Sequence, residues 1–423
     1  MYIERDLEPR LAEALRGNKV LILYGSRQTG KTTVVEHLLS TPDMRREGVV
    51  RLSGDVLPER ELLDYATMTA EKAQSILGEA KTLFVDEAQK ILDIGLMLKI
   101  IHDRFKSLRI VATGSSSFEL SEEVGEPLTG RMDAYVLPTL SFPELARSAS
   151  PVAERNLLET RLLYGSYPDV ATAPSDEQRR RRLRNLCSSY LFKDVLKWEN
   201  LRNSDRLARL AKALSLQLGD EVSWKELGDT AGMDNETAQS YVERLEKAFV
   251  VFRLPAFSRN LRNELKKSKK VYFFDTGVRN ALIGDFRPLA SRTDAGHLFE
   301  NYLIAERMKN NALRERDVQS FFWRTKGEGS KEIDYLEDSA ERGLVAYEFK
   351  WNPSQAARAR SPKAFSEAYP DAAWTPVSRD NYVEFVTGLI WHSLHEIAAE
   401  RRHFAQGEHR ICGRLAVLVE WAP

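Results

Sequence analysis

The chain has 423 residues, and its 62 Lys and Arg balance 62 Asp and Glu. At roughly 100–200 residues per domain this length predicts about two to four domains, and 43% hydrophobic with 29% charged residues is globular composition. Zero net charge excludes a globally cationic nucleic-acid binder, no apolar run approaches the roughly 20 residues needed to span a bilayer, and two distant cysteines, Cys187 and Cys412, exclude a disulfide framework or a Cys-rich zinc site.

The first segment, MYIERDLEPRLAEALRG, interleaves charges with apolar residues and lacks the apolar core of a secretory signal. A cytoplasmic protein without membrane contact is expected. From Val20 to about Leu140, β-rich runs alternate with helical stretches: Val20–Tyr24, Thr82–Asp86, Arg109–Thr113 and Ala134–Leu137. Apolar runs separated by helical patterns predict an α/β unit with a parallel sheet wrapped by helices. Residues 141–203 read as mostly helical and as a lid or linker.

Residues 204–284 change pattern again. A helix over Asp205–Leu218 leads through Ser223 to a second helix, and the turn Ala231-Gly232-Met233-Asp234 precedes a third from about Asn235 to Lys247. Ser223 and Asp234 or Asn235 are the capping residues. Strand-like runs at Phe249–Leu254 and Lys270–Phe274 flank a basic loop, so the region reads as a winged helix. Its outward helix face would carry Asn235, Glu236, Gln239, Ser240, Glu243 and Arg244. The wing would carry Arg259, Arg262, Lys266, Lys267, Lys269 and Lys270, enough to neutralise several phosphates of DNA. Residues 285–390 form a last unit: a helix from His297, then strands around Phe321, Ile333 and Val345. Residues 391–423 carry no assigned role.

The strongest motif is Gly25-Ser26-Arg27-Gln28-Thr29-Gly30-Lys31-Thr32, with Thr33 opening the next helix. Glycines at both ends let successive N–H groups point inward and cradle phosphate oxygens, and the helix start adds favourable partial charge. Lys31 would reach the β- and γ-phosphates of ATP, and Thr32 would place its hydroxyl on Mg²⁺. Downstream, Thr82-Leu83-Phe84-Val85-Asp86-Glu87 is an apolar strand ending in two acids. Asp86 would hold Mg²⁺ through its water shell, and Glu87 would activate the attacking water. Thr113-Gly114-Ser115-Ser116-Ser117 ends another strand in hydroxyl residues able to orient water.

These residues resemble the AAA+ superfamily of P-loop ATPases. With Leu128-Thr129-Gly130-Arg131, Leu140-Ser141-Phe142-Pro143-Glu144 and Tyr164-Gly165-Ser166-Tyr167-Pro168, the chain is similar over about residues 1–390 to a prokaryotic AAA+ family with a C-terminal domain of unknown function. The resemblance implies Ser115 or Thr113 as the first sensor. It also implies Arg131 as an arginine finger, acting in trans within a homo-oligomer. It leaves a second sensor arginine unplaced.

In the last unit, Glu300 lies on a helix, Asp334 in the run Glu332–Leu336, and Glu348 with Lys350 in Val345–Lys350. Period-2 alternation puts Glu348 and Lys350 on one face. A helix glutamate, a strand aspartate and a Glu-x-Lys pair resemble the PD-(D/E)xK nuclease superfamily. That resemblance implies Mg²⁺ on Asp334, Glu348 and Glu300, with Lys350 as the catalytic residue. The leading expectation is an ATP-driven switch that contacts DNA. The alternatives are an ATP-gated nuclease and a non-catalytic regulatory protein with slow turnover.

Overall fold

A computed structural model describes residues 2–64, 68–115, 125–188, 204–258, 269–325 and 329–388. Parts of three expected features fall outside them: the hydroxyl turn beyond Ser115, the basic loop 259–268, and the extension 391–423.

The amino-terminal unit is built on a five-stranded sheet: β1 Val20–Tyr24, β2 Val49–Ser53, β3 Thr82–Asp86, β4 Arg109–Gly114 and β5 Met132–Val136. The spatial order is β2-β3-β4-β1-β5, and every pair is parallel. β1 is buried at all five positions, as a strand covered on both faces must be. Alternation sends Val20, Ile22, Leu83, Val85, Ile110 and Ala112 into one apolar layer. Leu21, Leu23, Phe84 and Val111 enter the other. The edge strand β2 was not foreseen. Its sequence, Val-Val-Arg-Leu-Ser, buries only Leu52, so it carries a weak apolar signal.

Residues 142–186 form five helices, the first opened by a capping box in which Ser141 and Glu144 satisfy each other's backbone N–H groups. Next come helices Ser204–Leu216, Trp224–Ala231 and Asn235–Lys247. An antiparallel hairpin follows, β6 Val251–Pro255 with β7 Lys269–Phe273. Ser223 caps the second of these helices, and Asp234, the first of the two candidates, caps the third. Asn235, Glu236 and Gln239 are exposed on that third helix, while Ser240, Glu243 and Arg244 are half-buried.

The carboxy-terminal unit pairs the long helix Ala295–Leu313 with a four-stranded sheet of order β11-β10-β9-β8. The strands are β8 Gln319–Arg324, β9 Glu332–Ser339, β10 Gly343–Phe349 and β11 Ala373–Val377. β8, β9 and β10 are antiparallel neighbours, and β11 joins β10 in parallel. One apolar core runs continuously from Phe142 to Val386, so the helical segment, the three-helix unit and the last unit share a single interior. Among the described residues no helix is long and apolar enough to cross a membrane.

Candidate functional site

The phosphate loop leaves the carboxyl end of β1 and enters the helix Lys31–Leu39. Gly25 has φ +152°, and a Cβ there would lie 2.4 Å from the Leu137 carbonyl oxygen, so no side chain fits. Gln28 and Gly30 take positive φ, which curls the loop backbone inward. Ser26 and Thr29 are buried, Arg27 and Gly30 half-buried, and Gln28, Thr32 and Thr33 open to solvent. Lys31 is buried, and its Nζ donates to the carbonyls of Gly25 at 2.8 Å and Ser26 at 3.0 Å. The ammonium therefore sits within the curl of the loop, where phosphate oxygens would be its competing partners.

The acid-bearing strand β3 and the hydroxyl-bearing strand β4 converge on this helix start. Thr32 Oγ1 donates to both Asp86 carboxylate oxygens at 3.0 Å. Thr113 Oγ1 donates to the same carboxylate. Asp86 ends β3 and Thr113 lies near the end of β4, so three strand ends, of β1, β3 and β4, form one edge. An exposed hydroxyl and a carboxylate, both hard oxygen donors, are the donor set that fits Mg²⁺ beside a bound triphosphate. Glu87 has left-handed backbone, φ 49°, which a non-glycine residue adopts only where its surroundings enforce it. Its N–H donates to Thr113 Oγ1 at 3.3 Å. Gln89 Nε2 donates to Glu87 Oε2 at 2.7 Å and to Ser115 Oγ at 2.9 Å. The two expected sensor residues thus divide: Thr113 touches Asp86, and buried Ser115 reaches Glu87 through Gln89.

Arg131 stands at the other end of the sheet. Its carbonyl accepts the Val20 N–H at 2.8 Å at the start of β1, about 15 Å from the loop at ~3.3 Å per strand residue. Its Nε donates to Asp103 at 3.1 Å, and hydrogen bonds from Lys106 and Arg131 hold that carboxyl down at about 2. Within its own chain Arg131 is out of reach of the phosphate loop.

Two supports of the loop had no signal in the sequence reading. Arg5, buried, donates from Nη1 to the Thr29 carbonyl at 2.8 Å, from Nη2 to the Pro138 carbonyl at 2.7 Å and from Nε to Glu144 at 3.1 Å. These partners are 24 to 139 residues away, so no local pattern marks Arg5. Tyr167 shares a 3.0 Å hydrogen bond with Ser26 Oγ inside the loop. Its neighbour Ser166 donates its N–H at 2.7 Å to Asp275, the cap of the helix Thr276–Ile283. Gly165 makes this junction possible, since a Cβ there would fall 1.8 Å from Asp275 Oδ1. Tyr167 lies in the run Tyr164–Pro168, which carried the resemblance but no role.

The carboxy-terminal residues also come together. Glu300 accepts from Tyr272 OH at 2.5 Å, Asp334 accepts the Phe349 N–H at 2.7 Å, and Lys350 Nζ donates to Glu348 at 2.6 Å. Burial pushes Glu300 up to about 8, opposed by Lys270 and reinforced by Asp334. Burial likewise raises Asp334 against the pull of Lys350, and raises Glu348 together with the Asp334 charge. Burial alone would lower the Lys350 ammonium, but its bond to Glu348 and the Asp334 charge hold it above the ordinary range.

Lys270 corrects an expectation. The pattern counts it as a wing cation as well as the start of a strand, but it follows Lys269 inside β7 and is only 2% exposed, so it is not open to a phosphate backbone. Its Nζ pairs with Glu332 and lies 3.6 Å from Glu300 Oε1. The expected Mg²⁺ set of Asp334, Glu348 and Glu300 does not fit a divalent cation as it stands. Among the described residues no group of three or more His, Cys, Asp and Glu is arranged to hold one.

Residues 17–146 match the model of a family described as AAA domain. Residues 155–288 and 295–387 match two domains of unknown function, DUF8612 and DUF4143. An uncharacterized protein of Mycobacterium tuberculosis is 27% identical over 348 residues, covering 80% of this chain and 72% of the relative. An uncharacterized protein of Methanocaldococcus jannaschii is 23% identical over 394 residues, with 87% and 82% covered. A solved Walker-type ATPase of Pyrococcus abyssi shares 17% identity with a TM-score of 0.45, covering 67% of this chain and 96% of that one. The amino-terminal unit is thus a nucleotide-binding P-loop domain of the AAA type.

Proposed function

We propose that the chain is a Mg²⁺-dependent ATPase that works as a nucleotide-driven switch. The observation that carries this reading is the meeting of Lys31, Thr32, Asp86 and Thr113 at one sheet edge, with Glu87 held beside them. Lys31, Thr32 and the loop N–H groups would bind and orient the triphosphate, and Thr32 with Asp86 would hold Mg²⁺, which supplies charge neutralisation on the phosphates when bound. Glu87 is the group to take the proton of the attacking water, its carboxylate oriented by Gln89. Arg131, remote from its own loop, is assigned to the site of a second copy of the chain.

The switch is carried by the junction from Ser26 through Tyr167 and Ser166 to Asp275. That junction links the loop to the three-helix unit, whose order of three helices and a hairpin supports the winged-helix reading and a contact with DNA. The test is phosphate release from Mg²⁺-ATP by the wild type, Lys31→Ala and Asp86→Asn. Turnover in the wild type, lost in both variants, supports the proposal. A wild type without turnover leaves the regulatory reading instead.

A second reading has its own observation: Asp334, Glu348 and Lys350 gather on β9 and β10, with Glu300 on the facing helix. That arrangement supports a nuclease-like carboxy-terminal unit. Cleavage of duplex, single-stranded or branched DNA or RNA by the wild type, absent in Glu348→Ala, would establish it. Intact nucleic acid throughout would reject it.

A further inference from the structure

We propose that Gln89 is a positioning residue that couples Ser115 to Glu87: its amide holds the base where it meets the attacking water, and Ser115 acts on the reaction through that amide instead of on the phosphates. This coupling rests on the ATPase reading and gives the two hydroxyls at the end of β4 separate tasks within it.

Glu87 is pinned at the backbone before its side chain is set. Its left-handed φ of 49° is costly for a residue with a Cβ. Its N–H donates to Thr113 Oγ1 at 3.3 Å, and its carbonyl accepts the Lys90 N–H at 3.1 Å. Gly54 lies against the same carbonyl, so close that a Cβ there would fall 2.3 Å from the oxygen. A backbone held in this way fixes where the side chain starts. The rotamers of a glutamate would still let its carboxylate swing.

Gln89 removes that freedom. It sits in the 3₁₀ turn Ala88–Lys90 and is 9% exposed. Both hydrogens of Nε2 are spent, one on Glu87 Oε2 at 2.7 Å and one on Ser115 Oγ at 2.9 Å. The amide cannot turn over, since that would set its carbonyl against the Glu87 carboxylate. Its Oε1 is left buried with no hydrogen-bond partner among the described residues. A buried carbonyl without a donor is costly, as is a left-handed glutamate. Two such costs within one turn mark a carboxylate whose place is fixed at the expense of local stability. The Gln89 bond engages Glu87 Oε2 and leaves Oε1 to take the proton of the attacking water.

The two hydroxyls therefore serve different acids. Thr113 Oγ1 donates to Asp86, on the metal side. Ser115 is buried, accepts from the Gln89 amide, and stands one side chain removed from Glu87. Deleting its hydroxyl costs the base its alignment and leaves Lys31, Thr32 and Asp86 in place.

The test uses the full-length chain with Mg²⁺-ATP, read as kcat and KM, and with ADP plus beryllium fluoride or aluminium fluoride. Beryllium fluoride stands in for a bound γ-phosphoryl group, and aluminium fluoride for the transferring group with its water in line. Gln89→Met keeps the length of the side chain and loses the amide. It should lower kcat about ten- to hundred-fold, with KM unchanged within about two-fold. It should trap ADP with beryllium fluoride as the wild type does and lose the aluminium fluoride complex. Ser115→Ala should show a smaller loss of the same kind. Joined to Gln89→Met it should add nothing, because both act through one amide. Should Gln89→Met fail to fold, Ser115→Ala, which deletes one hydroxyl, carries the test through the same two complexes. Additive losses, an unchanged kcat in folded Gln89→Met, or loss of both fluoride complexes would overturn the coupling and leave the ATPase reading standing. A wild type without turnover would take down both.

Discussion

Arg5→Met removes the deepest support of the phosphate loop. The Arg5 and Glu144 side chains are 3% and 0% exposed and meet at 3.1 Å. Removing one partner of a buried pair costs about 3–5 kcal/mol, because the other charge stays behind. Here Glu144 keeps two N–H donors, from Asp6 and Ser141, both at 2.8 Å. The lower end, about 3 kcal/mol, is therefore expected. The Thr29 and Pro138 carbonyls also lose their donor, which frees the loop to shift, and turnover of Mg²⁺-ATP should fall about ten- to hundred-fold. No tryptophan precedes Trp198, so tryptophan fluorescence does not report on this unit. Pulsed hydrogen exchange across a urea series, read on peptides from β1 and the helix Lys31–Leu39, is the suitable assay. A loss under about 1 kcal/mol, with unchanged turnover, would refute the buttress.

Gly25→Ala should abolish nucleotide binding, because its Cβ would meet the Leu137 carbonyl at 2.4 Å; a fluorescent ATP analogue that still binds with wild-type affinity would contradict this. Tyr167→Phe keeps the ring but loses the bond to Ser26, so it should bind nucleotide while losing any nucleotide-dependent exchange in the helix Thr276–Ile283. The Asp285 carboxyl is held down at about 2 by its bond to Arg287. Its stabilisation is present above the unfolded value of 3.8 and is lost as pH falls through about 2. The stability gap between the wild type and Asp285→Asn should therefore close on acidification through that window, as urea midpoints would report.

Legibility in the sequence followed the range of the interactions. The core strands β1, β3 and β4 were legible because strands buried on both faces write continuous apolar runs. β2 was not, since an edge strand needs only one buried side chain, Leu52. The phosphate loop was legible because its chemistry is local, eight consecutive residues. The acids Asp86 and Glu87 were legible only in company with it. What the sequence concealed was everything that reaches across the fold. Arg5 and Tyr167 act through partners more than a hundred residues away, apart from the Arg5 bond to Thr29. Lys270 opens the strand-like run Lys270–Phe274 and also counts among the six basic wing residues, and only its partners across the fold, Glu332 and Glu300, show that its ammonium is buried. Glu332, its closest partner, read as the start of a strand rather than as part of a site.

A nucleotide-driven switch requires that nucleotide state reach the rest of the chain from the phosphate loop. Glu87→Gln keeps the Gln89 side and the loop but removes the proton acceptor, so it should bind Mg²⁺-ATP and turn it over at least about a hundred-fold more slowly than the wild type. Hydrogen exchange of this variant with ATP, against the wild type with ADP, is the most direct measurement. A working switch should show a difference in protection across residues 164–168 and 269–283. Identical protection there, with nucleotide demonstrably bound in both, would contradict the switch.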